Sequence, residues 1–341
     1  MTFADIYGQD AAIERIKQYL RAGTITGTYL FSGPQGVGKT SVAQTMAAAL
    51  NCLKEDDDAC GECSSCKKIS KRQHPDVHMV NDLDAGGVPE EPEGGVGYKS
   101  RKLQEPGEEI KIEGIRQLQK EINLRPYEGR KKVFIVQEAH TMTLEAAHAF
   151  LKTLEEPPAN SVIILVSSKP SLLLNTIISR CKVFKFAPLK RDTLEDILRK
   201  SAHLDEALIH YLSFFCEGSI GRALHLKDSD VLEQKNKVID EFVSAGFTEP
   251  ADLQKSGREG LRRHLNILAS WFRDVYLLKS GLSRDDCIHR DRADELHQFA
   301  GRYSYPELDE IFTVIVDSLR YCEQNLNMRL VVSNIQAQLK R

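Results

Sequence analysis

The chain has 341 residues, of which 41% are hydrophobic and 28% charged, with a formal net charge of −3. That length supports two or three domains with separate cores. The near-neutral balance excludes a protein drawn as a whole onto nucleic acid or an anionic membrane, so any DNA contact must come from a local patch or from an assembly. No run of about 18 apolar residues occurs, so no transmembrane helix is expected. The first ten residues are acidic and lack an apolar stretch, unlike a signal peptide. The expected location is the cytoplasm.

Along the chain, Ile13, Ile16 and Leu20 recur at helical spacing, and Thr28-Tyr29-Leu30-Phe31 follows as a short apolar strand. The next stretch, Gly33-Pro34-Gln35-Gly36-Val37-Gly38-Lys39-Thr40, fits the P-loop pattern in full. Val42, Met46 and Leu50 then share one helical face. Gly33, Gly36 and Gly38 let backbone N–H groups face phosphates without a side chain between them. The helix starting near Lys39 turns its positive end to the same anion. Lys39 would reach the β- and γ-phosphates and the Thr40 hydroxyl would bind Mg²⁺, so the implied ligand is ATP with Mg²⁺. The alternative is a Gly-rich turn without a ligand.

Cys52, Cys60, Cys63 and Cys66 offer four thiolates, enough to close a tetrahedral Zn²⁺ shell with no position left for water. The site is therefore expected to be structural, folding an excursion too short to bury its own core. An iron–sulfur cluster and free thiols are the alternatives. Cys181, Cys216, Cys287 and Cys322 are scattered and read as small apolar residues. From about 81 to 109 the chain is polar and rich in Gly, Pro and Glu, and reads as a mobile loop or, alternatively, an ordered lid.

A helix is expected around Ile115–Ile122, then the apolar strand Val133–Val136, then a helix turning Leu144, Ala147, Leu151 and Leu154 inward. Strands follow at Val162–Val166 and Val183–Phe186. Apolar strands alternating with helices imply an α/β fold with a mostly parallel sheet covered on both faces. A P-loop ATPase needs an Asp after its second strand to hold Mg²⁺, often followed by a Glu that acts on water. Here Gln137-Glu138 stands there, and a neutral amide is a poor substitute for a carboxylate on Mg²⁺. Glu138 remains as the candidate base, or as a solvated loop acid. Nucleotide binding with slow hydrolysis is the expectation. Beyond Leu189 only helices are read. Leu194, Ile197 and Leu198 open one stretch. Leu261, Leu265, Leu268, Phe272 and Val275 form one apolar stripe, and Leu308, Ile311, Phe312, Ile315 and Leu319 another.

Together these motifs resemble the bacterial clamp-loader ATPases of DNA polymerase III, the gamma/tau and delta prime group. The opening Phe3-x-Asp5-Ile6-x-Gly8-Gln9, the four-cysteine insert, His74-Pro75-Asp76-Val77-His78, Leu151-Lys152-Thr153-Leu154-Glu155-Glu156-Pro157-Pro158, Ser179-Arg180-Cys181 and Gly218-Ser219-x-Gly221-Arg222-Ala223 carry the resemblance. It covers about the first 225 residues. Gln137 in place of Asp is similar to the delta prime branch, where the site tends to decay.

The resemblance implies a RecA-like AAA+ domain over 1–188 with its zinc module at 52–66, a helical lid over 189–242 and a helical collar over 243–341. It implies that Arg180 is an arginine finger given to a neighbouring ATP site, unless it sits in a surface ion pair. Ser167 or Ser168 would be the first sensor and Arg222 the second. The implied partners are gamma/tau and delta subunits, a sliding clamp, and primed DNA reached through the complex. Two rival readings are a gamma-type motor that hydrolyses ATP itself and a zinc-dependent scaffold that never binds nucleotide.

Overall fold

A computed structural model of the chain describes residues 1–54, 56–80, 109–202, 204–227, 230–247, 253–324 and 326–339. Most of the polar segment expected to be a mobile loop or lid lies outside the described residues. The chain divides into two compact units: Met1–Leu189 with Ser219–Gly221, and Lys190–Gly218 with Arg222–Arg341.

In the first unit, strands β1 (Gly27–Ser32), β2 (Val77–Met79), β3 (Lys132–Val136), β4 (Ser161–Ser167) and β5 (Lys182–Lys185) build one sheet in the order β2-β3-β4-β1-β5. All its pairings are parallel. This is a RecA-like αβα arrangement. The strands alternate sides as the pleat requires. Tyr29, Phe31, Val133, Ile135, Val162, Ile164 and Val166 pack on one face against α1 (Asp10–Arg21), α2 (Lys39–Leu50) and α3 (Ser64–Ser70). Leu30, Phe134, Val136, Ile163 and Leu165 pack on the other, against α4 (Ile112–Ile122), α5 (Leu144–Glu155) and α6 (Asn175–Ile178). Burial on both faces explains why the middles of β1, β3 and β4 read as apolar runs.

The structure corrects one inward face. Leu144 is 61% exposed, and α5 turns Ala146, Ala147, Phe150 and Leu154 into the core. Thr143 caps this helix by accepting from the Ala146 N–H. Leu144 is therefore the first helical residue, beyond the edge of the packed face. The structure also adds β2, a three-residue edge strand that the sequence does not announce.

The second unit is helical: α7 (Arg191–Ala202), α8 (Glu206–Phe215), most of α9 (Ile220–Leu226), α10 (Val231–Ala245), α11 (Leu253–Lys279, interrupted at Gly257), α12 (Ala293–Arg302), α13 (Tyr305–Glu323) and α14 (Met328–Leu339). Both expected stripes are inward. Leu261, Leu265, Leu268, Phe272 and Val275 meet Leu308, Ile311 and Ile315 in one core around Trp271, which Ile239 and Phe242 of α10 join. Ser304 and Glu307 form a reciprocal capping box at the start of α13, with a proline in its first turn. No described helix is long and apolar enough to cross a membrane.

Candidate functional site

The sheet order places β1 between β4 and β5, while the chain leaves β1 for a strand on the far edge. Ligands of open parallel sheets bind at such a reversal, outside the carboxyl ends of the strands. Gly33 follows β1 there, Gln137 and Glu138 follow β3, and Ser168 follows β4. Ser32 pairs with Ser167 and Val136 with Leu165, which levels these ends with one another.

The P-loop forms the floor. Gly38 takes the left-handed conformation, φ 97°, that favours glycine, and α2 starts at the next residue with no side-chain cap. The first N–H groups of α2 therefore lack the usual capping acceptor and suit an oxyanion. Lys39 is buried, and its Nζ donates to the carbonyls of Gly33 (2.7 Å) and Pro34 (2.6 Å). Burial lowers its pKa and the Glu138 charge partly opposes this. A lysine held on carbonyl dipoles in a partly dehydrated site gains from an anion beside it. Gln9 braces the loop, donating from Nε2 to Val37 O (3.1 Å) and Ala187 O (2.8 Å). Gly221 donates its N–H to Gly36 O (2.8 Å), and a Cβ at 221 would stand 3.0 Å from that oxygen. This close approach accounts for the second glycine of the Gly218–Ala223 motif.

Opposite the loop, Glu138 sits at φ 44°, a strained value for a residue with a side chain. Its Oε2 accepts from the Ser168 hydroxyl at 2.8 Å and lies 3.5 Å from His140 Nε2. Ser167 is fully buried, with its hydroxyl 3.3 Å from His140 Nδ1. Burial lowers the pKa of His140. Of the two sensor candidates, Ser168 is thus the one joined to the acid. His140 was not singled out from the sequence. Its position in a short helical turn after the acid strand is the signal that could have drawn attention to it.

Arg180 stands apart from this group, in the turn between α6 and β5. Its Nε donates to Glu155 Oε1 (2.9 Å), Nη2 reaches the same oxygen, and Nη1 donates to Thr176 O (2.8 Å). Arg180 is thus paired with Glu155 at the surface of this chain. In the second unit, the Arg222 guanidinium lies 4.7 Å from the centre of the Phe215 ring.

The cysteines form a second centre. Cys52, Cys60, Cys63 and Cys66 bring their sulfurs within 4.8 Å of one another, a set that could hold a metal ion. Zn–S bonds of about 2.3 Å would place sulfurs about 3.8 Å apart, and Cys60 Sγ and Cys66 Sγ are 4.0 Å apart. The N–H groups of Cys60, Cys63 and Cys66 point at the sulfurs of Cys52, Cys60 and Cys63, respectively, at 3.3–3.4 Å. Such donors favour thiolates. The Cys63 N–H leads the influences that bring Cys60 down to about 6, whereas burial pushes Cys66 up to about 12.

Asp76 ties the entry of β2 to the loop that leads into β3. It is fully buried, and its carboxylate accepts from the N–H groups of Tyr127 (2.7 Å), Glu128 (2.8 Å) and Gly129 (2.7 Å). Burial alone would raise its pKa, but the three donors outweigh it and hold the carboxyl below its ordinary value. Asn51, next to the first cysteine, accepts from Lys131 N and donates to Lys131 O.

A RecA-like sheet with a P-loop at its switch point defines the protein as a P-loop fold of the AAA+ class. The profile of a family described as "DNA polymerase III, delta subunit" matches residues 8–190, and "DNA polymerase III, delta subunit, C terminal" matches 230–340. The chain belongs to this DNA polymerase III delta-subunit family. The Bacillus subtilis DNA polymerase III subunit delta′ is 27% identical over 91% of this chain and 90% of its own length. The Salmonella typhimurium subunit tau is 35% identical over 72% of this chain, which spans only 35% of that longer protein. A Thermotoga maritima gamma-subunit-related crystal structure covers 97% of this chain and all of its own, at 20% identity and a TM-score of 0.49.

Proposed function

We propose that the chain is a delta prime-type clamp-loader subunit in DNA replication, part of a ring with gamma/tau-type and delta-type subunits that places a sliding clamp on primed DNA. In this reading Arg180 reaches the γ-phosphate of ATP held by a neighbour, where a guanidinium supplied in trans stabilises charge on the phosphoryl group. Gly33, Gly36, Gly38, Lys39 and Thr40 hold the chain's own ATP with Mg²⁺, Ser168 acts as first sensor and Arg222 as second. With Gln137 as a neutral neighbour, Glu138 lacks a partner carboxylate to place the metal, so intrinsic hydrolysis is slow. The four cysteines hold a structural Zn²⁺. Residues 189–242 serve as lid and 243–341 as collar, and the site of action is the cytoplasm.

One conjunction carries the reading: a chain with a complete P-loop pattern and the Ser179-Arg180-Cys181 segment has Gln137 directly after its acid strand. The match across most of a delta prime subunit supports it. The Glu138–Ser168 bond favours the rival, an autonomous motor, because it keeps a carboxylate at the mouth of the cradle.

The test is Arg180→Ala in a ring reconstituted with partner subunits. An arginine finger is worth about 10³-fold in turnover or more, so ring ATPase should collapse while ATP-analogue binding to the isolated chain is unchanged. Undiminished ring turnover would remove Arg180 from the role.

A further inference from the structure

We infer that Glu155 is a positioning residue for Arg180, holding the guanidinium in the pose from which it serves a neighbouring phosphate. This deepens the proposed function and rests on it. A guanidinium carries five N–H donors in a rigid planar fork. In this chain three are engaged. Nε and Nη2 both address Glu155 Oε1, and Nη1 addresses the carbonyl of Thr176. That leaves one N–H on each terminal nitrogen for a further acceptor. Two such donors match the oxygens of a phosphoryl group.

The two anchors come from different elements: Glu155 ends α5 and Thr176 lies in α6. Both helices pack into the same face of the sheet through Phe150, Leu154 and Ile177. The pose of a long, exposed side chain is thereby referred to the rigid frame of the domain. Without an anchor, Arg180 would sample many rotamers and pay their entropy each time a neighbour's nucleotide arrived. The side chains of Arg180 and Glu155 keep relative exposures of 32% and 49%, so the pair is reachable by another chain. The carboxylate uses one oxygen for both bonds, so a neutral amide oxygen in its place can still accept them.

The experiment compares Glu155→Ala, Glu155→Gln and Arg180→Ala. In the isolated chain, nitrogen NMR of the Arg180 guanidinium should show hindered rotation in the native protein and in Glu155→Gln, and free rotation in Glu155→Ala. In the reconstituted ring, misplacing a catalytic group by about 1 Å costs up to about 10²-fold. Glu155→Ala should therefore lower kcat for ATP about tenfold or more, leave the affinity of the ring for a fluorescent ATP analogue unchanged, and be largely rescued by Glu155→Gln. Equal guanidinium mobility in native and Glu155→Ala chains would overturn the inference. Full turnover in Glu155→Ala beside a dead Arg180→Ala ring would overturn it too, while leaving the finger standing. Full turnover in Arg180→Ala would take down both.

Discussion

Replacing Asp76 with Asn is nearly isosteric and removes one charge. In the native chain Oδ1 accepts from Tyr127 N, and Oδ2 accepts from both Glu128 N and Gly129 N, all at 2.7–2.8 Å. An amide placed here keeps one oxygen and turns its NH₂ toward a third donor. One bond is lost outright, leaving a backbone N–H facing another donor, and two bonds fall from charge-assisted to neutral strength. Bonds to charged groups contribute about 1.5–3 kcal/mol each and neutral ones about 1, so the sum is about 4 kcal/mol. The pH dependence has a definite sign. The folded carboxyl is lowered, so its contribution is complete above the unfolded value near 3.9 and is lost as pH falls toward the folded value. The native chain should therefore weaken on acidification below about pH 4, and Asp76→Asn should lack that component. Hydrogen exchange of residues 123–131 at pH 7 and denaturant unfolding followed by far-ultraviolet circular dichroism measure both effects. The one tryptophan, Trp271, lies in the second unit and does not report on this one. A loss below about 1 kcal/mol at pH 7 would mean that the donors find water or another acceptor, and the argument from a dry carboxylate would fail.

Cys63→Ser should abolish stoichiometric zinc, read by metal analysis after purification, and should speed exchange in residues 52–70 while the sheet stays protected; retained zinc would show that three thiolates suffice. Restoring a carboxylate with Gln137→Asp should raise intrinsic ATP turnover about tenfold or more if metal placement is the deficit. Unchanged turnover at saturating Mg²⁺ would locate the deficit elsewhere.

The central strands were legible because both faces are buried and their middle positions are apolar. Edge strand β2 was not, because Val77–Met79 is too short to show a pattern and is held by pairing to β3. The P-loop and the cysteines were legible because their chemistry is local in sequence. The choice between Ser167 and Ser168 was not. It depends on where β4 ends relative to β1, and only that register turns Ser167 inward and Ser168 toward Glu138. Asp76 was visible as part of a motif, but its work is to hold backbone some fifty residues away, which no local pattern encodes. Glu155 and Arg180 lie 25 residues apart and meet because α5 and α6 share one face of the sheet.

On the proposed reading, the chain's features divide by what the assembly asks of them. A finger given in trans needs a rigid platform under Arg180 and nothing from the donor's own metal site. Loss of the acid-strand Asp then costs the ring little, while loss of the frame would cost it the finger. The polar contacts follow that division. Asp76 and Asn51 hold the segment that leads into β3, and Glu155 with Thr176 braces the guanidinium itself. The cradle is the exception, since Gly38, Lys39 and the Gln9 brace remain complete although hydrolysis is not required of them. A bound nucleotide that is seldom hydrolysed would act there as a structural ligand, stabilising the folded domain by mass action rather than turning over. Excess ATP should then raise the unfolding temperature of the isolated chain, and Lys39→Ala should remove that rise while leaving the temperature without nucleotide little changed.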